Sequence, residues 1–318
     1  MMNKGRILVT ATGWDVQEWA DELVRTAPDR PVTLDPDGPE DPSIRYAVVW
    51  KPRPSVLARL PNLKAVFSLG AGVDHVIGDP DLPDVPVVRV VSKDLTARMS
   101  EYVVWQVLDH HRKGRDYRAR QAAGLWQEDL SQKAAADLTV GIMGLGELGS
   151  DAAAKLAVLG FKVTGWSRTA KDHSDVACFS GPDGLDQFLA SADIFVVLLP
   201  LTPSTRGFLD LALFRRMTRR GPLGAPVLIN AGRGGLQVEA DILAALDEGS
   251  LSAVSLDVFN EEPLDPASPF WSHPKVTLTP HAAATSVASS LVADMVAQMD
   301  AHDAGEALRN VVNRASGY

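Results

Sequence analysis

The amino-acid sequence predicts an α/β protein of two doubly wound parallel-sheet domains, on three observations. Short apolar runs alternate with longer helical stretches along the whole chain, the order expected of parallel strands joined by helical crossovers. The runs are apolar at successive positions, as strands covered on both faces require. The length of 318 residues suits two domains at roughly 100–200 residues each.

In the first third, strands are expected at Arg6–Thr10, Tyr46–Trp50, Ala65–Gly70 and Val87–Val90, with helices at Trp14–Thr26 and, briefly, near Ser55–Leu60. Pro28–Pro42 is rich in Pro, Asp and Gly and is expected to be loop around at most one short strand. One long helix is expected from Thr96 to Ala123, since Tyr102, Val103, Val107 and Leu108 fall at helical spacing, with Gly124 ending it. A second series follows, with strands at Thr139–Gly144, Lys162–Ser167, Ile194–Leu199, Val227–Asn230, Ala253–Val258 and Val276–Thr279. Helices lie between most of these, for example Gly146–Leu159 and Val238–Leu246, and Ser286–His302 reads as a closing amphipathic helix.

Composition excludes several classes. Hydrophobic residues make up 46% and charged residues 22%, too apolar a mixture for a disordered chain. The longest apolar run, Ile194–Leu199, stops at Pro200, well short of the roughly 18 residues that span a bilayer. Met1-Met2-Asn3-Lys4-Gly5 leads directly into a strand-like run, so no signal peptide is expected. The net charge of −9, from 31 basic and 40 acidic residues, disfavours nucleic-acid binding but permits a local basic pocket. Cys178 is the only cysteine, which excludes a disulfide framework and disfavours a cysteine-based zinc site. No neighbour activates it as a nucleophile. His110 and His111 would point about 100° apart on a helix, so no metal site is expected there. A cytoplasmic protein, off the membrane, is expected.

The segment from Thr139 to Ser150 contains G-x-G-x-x-G as Gly144, Gly146 and Gly149. An apolar strand precedes it, a helical pattern follows, and another strand begins at Lys162. In that setting Gly144 permits a tight turn, Gly146 lets a pyrophosphate approach the backbone, and Gly149 allows close helix packing. The helix that opens at Glu147 and Leu148 offers N–H groups and a positive dipole end to phosphates. A dinucleotide site is therefore expected. Where NAD sites usually carry Asp or Glu, about 20 residues on, this chain has Ser167-Arg168-Thr169, with Lys171 close behind. Hydroxyls and a guanidinium suit a 2′-phosphate, so NADPH is the preferred cofactor. NADH stays possible should Asp172 or Asp175 reach a ribose.

Three further segments each put polar residues just after an apolar strand: Asn230-Ala231-Gly232-Arg233-Gly234, then Leu256-Asp257-Val258-Phe259 with Glu262-Pro263-Leu264, then Thr279-Pro280-His281. Ligands bind at that carboxyl edge of open α/β sheets. Any one of Arg233, Glu262 and His281 is as readily a structural residue as a functional one. Three on one edge after a dinucleotide fingerprint point to catalysis.

These motifs resemble those of the D-isomer-specific 2-hydroxyacid dehydrogenases over nearly the whole chain, least in the first 45 residues. Within that family the chain is most similar to the glyoxylate/hydroxypyruvate reductase A-like branch, through Leu69–His75, Ser100–Val103, Trp166–Arg168, Pro269–Pro274 and the closing Gly317-Tyr318. The resemblance implies two Rossmann-like domains, the cofactor domain inserted into a flavodoxin-like substrate domain: residues 1–102 with 284–318 for substrate, 103–283 for the dinucleotide. Spacing alone would have suggested two consecutive domains.

It also implies reduction of a small 2-keto acid, with His281 as proton donor, Glu262 on its other ring nitrogen and Arg233 on the substrate carboxylate. Ala71, Gly72 and Val73 would form a carboxylate-binding loop and Trp50 a wall of the substrate site. Leu199, Pro200, Thr202 and Ala231 would line the cofactor, and Asp257 would hold the nicotinamide carboxamide. The partner is a small anionic 2-keto or 2-hydroxy acid, and the assembly a homodimer. Trp126 lies in a segment that exchanges between subunits in this family, although packing within its own chain is the preferred account of it. The alternatives are a dinucleotide-sensing binding protein without turnover and a reductase for a bulkier keto acid.

Overall fold

Every pairing between the strands described is parallel, as runs apolar on both faces demand. The structure, a computed structural model, describes residues 4–13, 15–34, 40–174, 176–217 and 221–318. Trp14, Asp175 and part of the 28–42 segment, on which expectations fell, lie outside the described residues.

The elements run β1 (Arg6–Ala11), α1 (Gln17–Thr26), β2 (Val32–Thr33), β3 (Ile44–Trp50), β4 (Ala65–Ser68), α2 (Asp74–Ile77), β5 (Val87–Val88), α3 (Lys93–His111) and α4 (Gly114–Ala122). Then come β6 (Thr139–Met143), α5 (Glu147–Val158), β7 (Lys162–Ser167), β8 (Ala177–Ser180), α6 (Leu185–Leu189), β9 (Ile194–Val197) and α7 (Leu211–Arg216). The chain closes with β10 (Val227–Asn230), α8 (Glu239–Glu248), β11 (Ala253–Leu256), β12 (Val276–Leu278) and α9 (Ala288–Asp303). It divides into two units, residues 1–95 with 286–318 and residues 96–285, so the second is inserted into the first. The division at 95 and 96 falls inside α3.

The first unit is a five-stranded sheet in the order β2-β1-β3-β4-β5, the flavodoxin-like order, with its topological switch between β1 and β3. The second is a seven-stranded sheet, β12-β11-β10-β9-β6-β7-β8. That is the Rossmann order with a seventh strand added beyond the sixth, and its switch lies between β6 and β9. Successive residues of β9 and β10 feed opposite cores. Phe195, Val197 and Leu228 join one cluster with Phe188, Phe214 and Leu246. Ile194, Val196, Val227 and Ile229 join another with Val103, Val107 and Leu156. The period of two therefore serves two buried faces at once. In the first unit, α9 buries Ala288, Leu291, Val292, Met295, Val296 and Met299, the i, i+3, i+4 stripe of an amphipathic helix.

Three expectations change. The single helix expected over 96–123 is two, because Lys113 takes a left-handed φ of +54° and breaks the hydrogen-bond ladder before Gly114. Arg118 then clamps α4 back onto the end of α3 through both oxygens of Asp109, at 2.7 and 3.0 Å. β8 and α2 were not anticipated, and α6 and α7, expected only as helices somewhere between strands, had no bounds, since each is too short to show a period. Trp126 does not pack within its chain: it is 104% exposed, with Leu130 at 87%.

The first unit is tied by a buried cation. The Arg30 side chain is fully buried and donates to Asp300 at 2.7 Å and Asp303 at 2.6 Å on α9, and to the Lys4 carbonyl at 2.7 Å. Tyr46 on β3 donates to Asp303 at 2.9 Å, and the Arg30 guanidinium lies 5.3 Å from its ring centroid. Burial alone would push the Asp303 carboxyl up, but hydrogen bonds from Lys64, Arg30 and Tyr46 outweigh it and hold it at about 2. Asp303→Ala is expected to lower the unfolding free energy by about 3 kcal/mol, because Arg30 keeps its burial and loses a partner; an unchanged denaturant midpoint would refute this. The wild-type contribution of Asp303 is full above the ordinary carboxylate range and is lost as pH falls through about 2.

Candidate active site

Strand register puts the functional loops on one edge of the seven-stranded sheet. Trp166, Met143, Val197, Asn230, Leu256 and Leu278 are successive partners across six strands. Each stands at or next to the carboxyl end of its strand. The loops that follow, 144–149, 167–171, 198–202, 231–234, 257–262 and 279–283, therefore leave the same edge.

The three fingerprint glycines do different work. Gly144 has φ +105°, and a Cβ there would lie 2.8 Å from the Leu198 carbonyl oxygen. A Cβ on Gly149 would stand 1.9 Å from the Gly144 carbonyl oxygen, so the first turn of α5 lies directly on the turn before it. A Cβ on Gly146 would meet nothing within 4 Å. That open cradle faces the start of α5, where Gly146 is an extended N-cap without a side-chain cap bond. First-turn N–H groups have no partner within their own helix, so this end of α5 is suited to an anion. Glu147 is exposed and Leu148 packs partly into the core beneath.

At the end of β7, Ser167 is buried and its hydroxyl donates to the Thr169 carbonyl at 2.7 Å, which closes the turn and leaves Arg168, Thr169 and Lys171 exposed. His173 lies 3.3 Å from the Ser150 hydroxyl on α5, so this loop folds back over the fingerprint helix. Past β9, Leu199 and Thr202 are buried. The Thr205 hydroxyl fastens this loop by donating to the Pro200 carbonyl at 2.7 Å and accepting from the Thr202 N–H at 2.8 Å.

Asn230 shapes the next loop. Its Oδ1 accepts from Gly232 N at 3.0 Å and its Nδ2 donates to Gln237 at 2.8 Å and to the Arg233 carbonyl at 3.2 Å. Gln237 in turn donates to the Val258 carbonyl at 3.0 Å. A Cβ on Gly234 would stand 1.9 Å from the Phe259 carbonyl oxygen, so the loops after β10 and β11 touch. Ala231 is buried and Arg233 half-buried, with Arg233 Nη1 donating to the Gly232 carbonyl at 2.8 Å.

His281 and Glu262 meet as expected. The imidazole Nδ1 lies 2.9 Å from Glu262 Oε2, and Glu262 Oε1 accepts from Phe259 N at 3.1 Å. The carboxylate is thus held by backbone on one oxygen and by the ring on the other. With Nδ1 carrying the proton toward Glu262, the orientation of the ring is fixed from that side. Asp257, expected at the nicotinamide carboxamide, is 1% exposed and works beneath His281. Its Oδ1 accepts from Thr279 Oγ1 at 2.6 Å and Ala282 N at 2.9 Å, and its Oδ2 from Ala283 N at 3.0 Å. Burial pushes the Asp257 carboxyl up against these bonds.

Sequence reading missed Asn230, Gln237 and Tyr102 as supports, the last with its hydroxyl 2.8 Å from Thr279 Oγ1. An Asn directly before Ala-Gly at a strand end is a turn signal that was available; the other two have none. His110, adjacent to His111, proves structural: its Nε2 lies 2.8 Å from the Ser255 hydroxyl, and burial pushes it down to about 4. Cys178 is half-buried, with burial pushing its thiol up. Among the described residues no cluster of metal-ligating side chains forms, and no helix is long and apolar enough to cross a membrane.

Trp50, Ala71, Gly72 and Val73 belong to the first unit. Trp50 ends β3 at 6% exposure, and a Cβ on Gly70 would lie 2.4 Å from its ring. The His75 ring is centred 4.5 Å from it. Ala71 and Gly72 are half-buried and Val73 buried. The loop after β4 is held by Ser68, which donates to the Gly72 carbonyl and accepts from Gly70 N, both at 3.2 Å.

The chain is similar to known proteins in family and in fold. The family model for the NAD binding domain of D-isomer specific 2-hydroxyacid dehydrogenases matches residues 104–283. The chain is 49% identical to an NADPH-dependent glyoxylate/hydroxypyruvate reductase from Sinorhizobium meliloti, crystallised with NADP and sulfate, over 98% of this chain and 100% of that one, with a TM-score of 0.93. It is 45% identical to a probable 2-hydroxyacid dehydrogenase from Rhizobium etli, crystallised with NADP, HEPES and tartaric acid, over 98% and 100%, with a TM-score of 0.91. A D-isomer specific 2-hydroxyacid dehydrogenase from Xanthobacter autotrophicus, crystallised with NADPH and MES, is 38% identical over 99% and 100%, with a TM-score of 0.90.

The glycine geometry predicts unequal effects for two alanine substitutions. Gly149→Ala is expected to lower the melting temperature by several degrees, since a backbone carbonyl must move to admit a methyl. Gly146→Ala is expected to lower it less, since no atom has to move and only the poorer N-cap preference of alanine is felt. Equal melting temperatures for the two variants would refute the packing role of Gly149.

Proposed function

The chain belongs to the D-isomer specific 2-hydroxyacid dehydrogenases, and from that premise we propose that it reduces a small 2-keto acid of the glyoxylate/hydroxypyruvate class to the D-2-hydroxy acid, with NADPH as cofactor. The observation that carries this reading is the 2.9 Å pair of His281 Nδ1 with Glu262, on the sheet edge that also carries the glycine fingerprint and Arg233. The solved relatives that hold NADP or NADPH support the choice of cofactor.

The residues present fit a dinucleotide. Gly146 leaves the cradle open at the start of α5, so the N–H groups of Glu147, Leu148 and Gly149 are assigned to the pyrophosphate. Ser167, Arg168, Thr169 and Lys171 are assigned to the 2′-phosphate, where a carboxylate would repel it. Leu199, Pro200, Thr202 and Ala231 are assigned to the nicotinamide side, with Asp257 and His281 close by. NADPH, when bound, supplies the hydride for the keto carbon.

In reduction, His281 Nε2 gives a proton to the oxygen that becomes the hydroxyl, and takes it back in the reverse direction. Glu262 holds Nδ1–H, fixing the ring and its tautomer so that Nε2 faces the substrate oxygen. Arg233 grips the substrate carboxylate and draws charge onto the keto oxygen through its planar fork. Trp50 and the backbone of Ala71, Gly72 and Val73 are assigned to the substrate from the first unit. Residues 1–102 with 284–318 are the substrate domain in this reading and 103–283 the cofactor domain.

We assign the enzyme to the cytoplasm, where its one cysteine needs no oxidising compartment, and to a homodimer. The exposed Leu125, Trp126 and Leu130, at 58%, 104% and 87%, support a subunit interface in this stretch. Trp126→Asp is expected to raise the dimer dissociation constant at least about tenfold, as a desolvated aromatic anchor would; sedimentation showing a wild-type monomer at micromolar concentration would refute the dimer.

His281→Ala and Arg233→Ala are each expected to lower kcat about 10²–10⁴-fold, with NADPH binding retained by fluorescence titration. Near-normal turnover in either variant would refute the assigned roles, and no wild-type oxidation of NADPH with any 2-keto acid would refute the activity. In the same panel, Arg168→Ala is expected to weaken NADPH about tenfold or more while NADH changes little, the loss of one charge-assisted phosphate contact.

A further inference from the structure

A chain of hydrogen bonds that the proposed chemistry does not use runs from α3 to the His281 turn. Tyr102 on α3 is 6% exposed, and its hydroxyl lies 2.8 Å from Thr279 Oγ1. Thr279 Oγ1 donates its only proton to Asp257 Oδ1 at 2.6 Å, so the Tyr102 hydroxyl is the donor of the first bond. Burial raises the Tyr102 phenol above its ordinary value, which keeps that donor protonated.

The far end of the chain is the backbone of the catalytic histidine. His281 has φ +52°, a left-handed conformation uncommon outside glycine, although histidine adopts it more readily than most residues. Asp257 holds it. The Asp257 carbonyl accepts from His281 N at 2.8 Å, and its carboxylate accepts from Ala282 N and Ala283 N at 2.9 and 3.0 Å. The carboxylate does this best when ionised, since a neutral acid gives up acceptor capacity. Burial works against ionisation, and the Thr279 hydroxyl works for it. With Tyr102 donating into the same oxygen, the Thr279 proton is turned onto the carboxylate.

We propose that Thr279 and Tyr102 are positioning residues for proton transfer: through the Asp257 carboxylate they hold the left-handed turn that sets the His281 imidazole against Glu262. This rests on the reduction reading above. Neither residue touches substrate, so their loss moves the rate of the chemical step and leaves ligand affinity in place.

The test uses the full chain with NADPH and either glyoxylate or hydroxypyruvate, comparing wild type with Thr279→Val, Thr279→Ser, Tyr102→Phe and the Tyr102→Phe/Thr279→Val double variant. Thr279→Val is expected to lower kcat about tenfold or more, as a misplaced catalytic group does, with the keto acid KM and the NADPH Kd within about twofold of wild type. Thr279→Ser restores kcat, because the hydroxyl is back. Tyr102→Phe lowers kcat by a smaller factor, and adds nothing to Thr279→Val, since it acts through that hydroxyl.

A Thr279→Val enzyme with wild-type kcat would overturn the proposal, as would equal losses in kcat and affinity, or an additive double variant. Should Thr279→Val not fold, Tyr102→Phe, which removes a single oxygen, carries the comparison: a kcat loss with unchanged KM supports the proposal, and no kcat loss overturns it. Hydrogen exchange at residues 279–285 gives a readout that needs no substrate. Faster exchange there in the Thr279 and Tyr102 variants, with the rest of the chain unchanged, is expected, and unchanged exchange overturns the proposal. A wild type inactive on every 2-keto acid overturns the reduction reading alone, and this exchange result then decides the role of Thr279 and Tyr102.

Discussion

Parallel pairing in one register is the constraint on which the rest of the second unit depends. Six strands end side by side because Trp166, Met143, Val197, Asn230, Leu256 and Leu278 are partners in a row. Parallel strands must return by crossovers, so every carboxyl end faces one edge and every functional loop begins there. Residues more than a hundred positions apart in sequence, from Gly144 to His281, reach a common edge because each follows the carboxyl end of its own strand. A slip of one residue would turn each buried strand face over, and both cores resist it, since β9 and β10 feed apolar side chains to each.

Above that edge, the loops are held by buried polar side chains whose hydrogen bonds go to backbone. Asn230 closes the turn before Arg233, Gln237 ties that turn to the loop after β11, and Asp257 supports the turn at His281. A buried amide or carboxylate is costly unless satisfied, and satisfying it fixes the loop around it. The catalytic candidates are therefore rigid for the same reason that their supports are tolerated in the core. The first unit uses a charged version of the device, with Arg30 joining α9 to β3 through Asp300, Asp303 and Tyr46.

Charge is distributed by the same logic. A net charge of −9 sets the long-range field and disfavours polyanions. The cations that suit small anions, Arg168, Lys171 and Arg233, lie after strands on the one edge where a helix N-terminus also points. An acidic protein can still hold a small anion at such a place, because a few donors at short range outweigh a screened field at long range.

The sequence by itself determined the fold class, most strands and the strand ends from which the candidate site is built. Strands such as Lys162–Ser167 and Val227–Asn230 have the expected bounds because their signal, an apolar run between breakers, is local. Gly144, Gly146 and Gly149 were legible because missing side chains at fixed spacing have few other uses beside a strand and a helix. Arg233, Glu262 and His281 were legible as three polar residues after three strands, although the insertion of one unit into the other came from the resemblance rather than from spacing.

Tertiary structure alone decided what depends on contacts distant in sequence. Asp257 supports a turn through Thr279, Ala282 and Ala283, and no local pattern marks a carboxylate for backbone rather than ligand. Tyr102 reaches Thr279 across 177 positions. The break at Lys113 turns on a single φ angle that residue type disfavours, and Trp126 stands exposed where an aromatic residue would ordinarily be buried. Local periodicity fixes which face of an element is apolar; only the packed chain decides which polar groups meet, since each of them is costly to bury until its partner arrives.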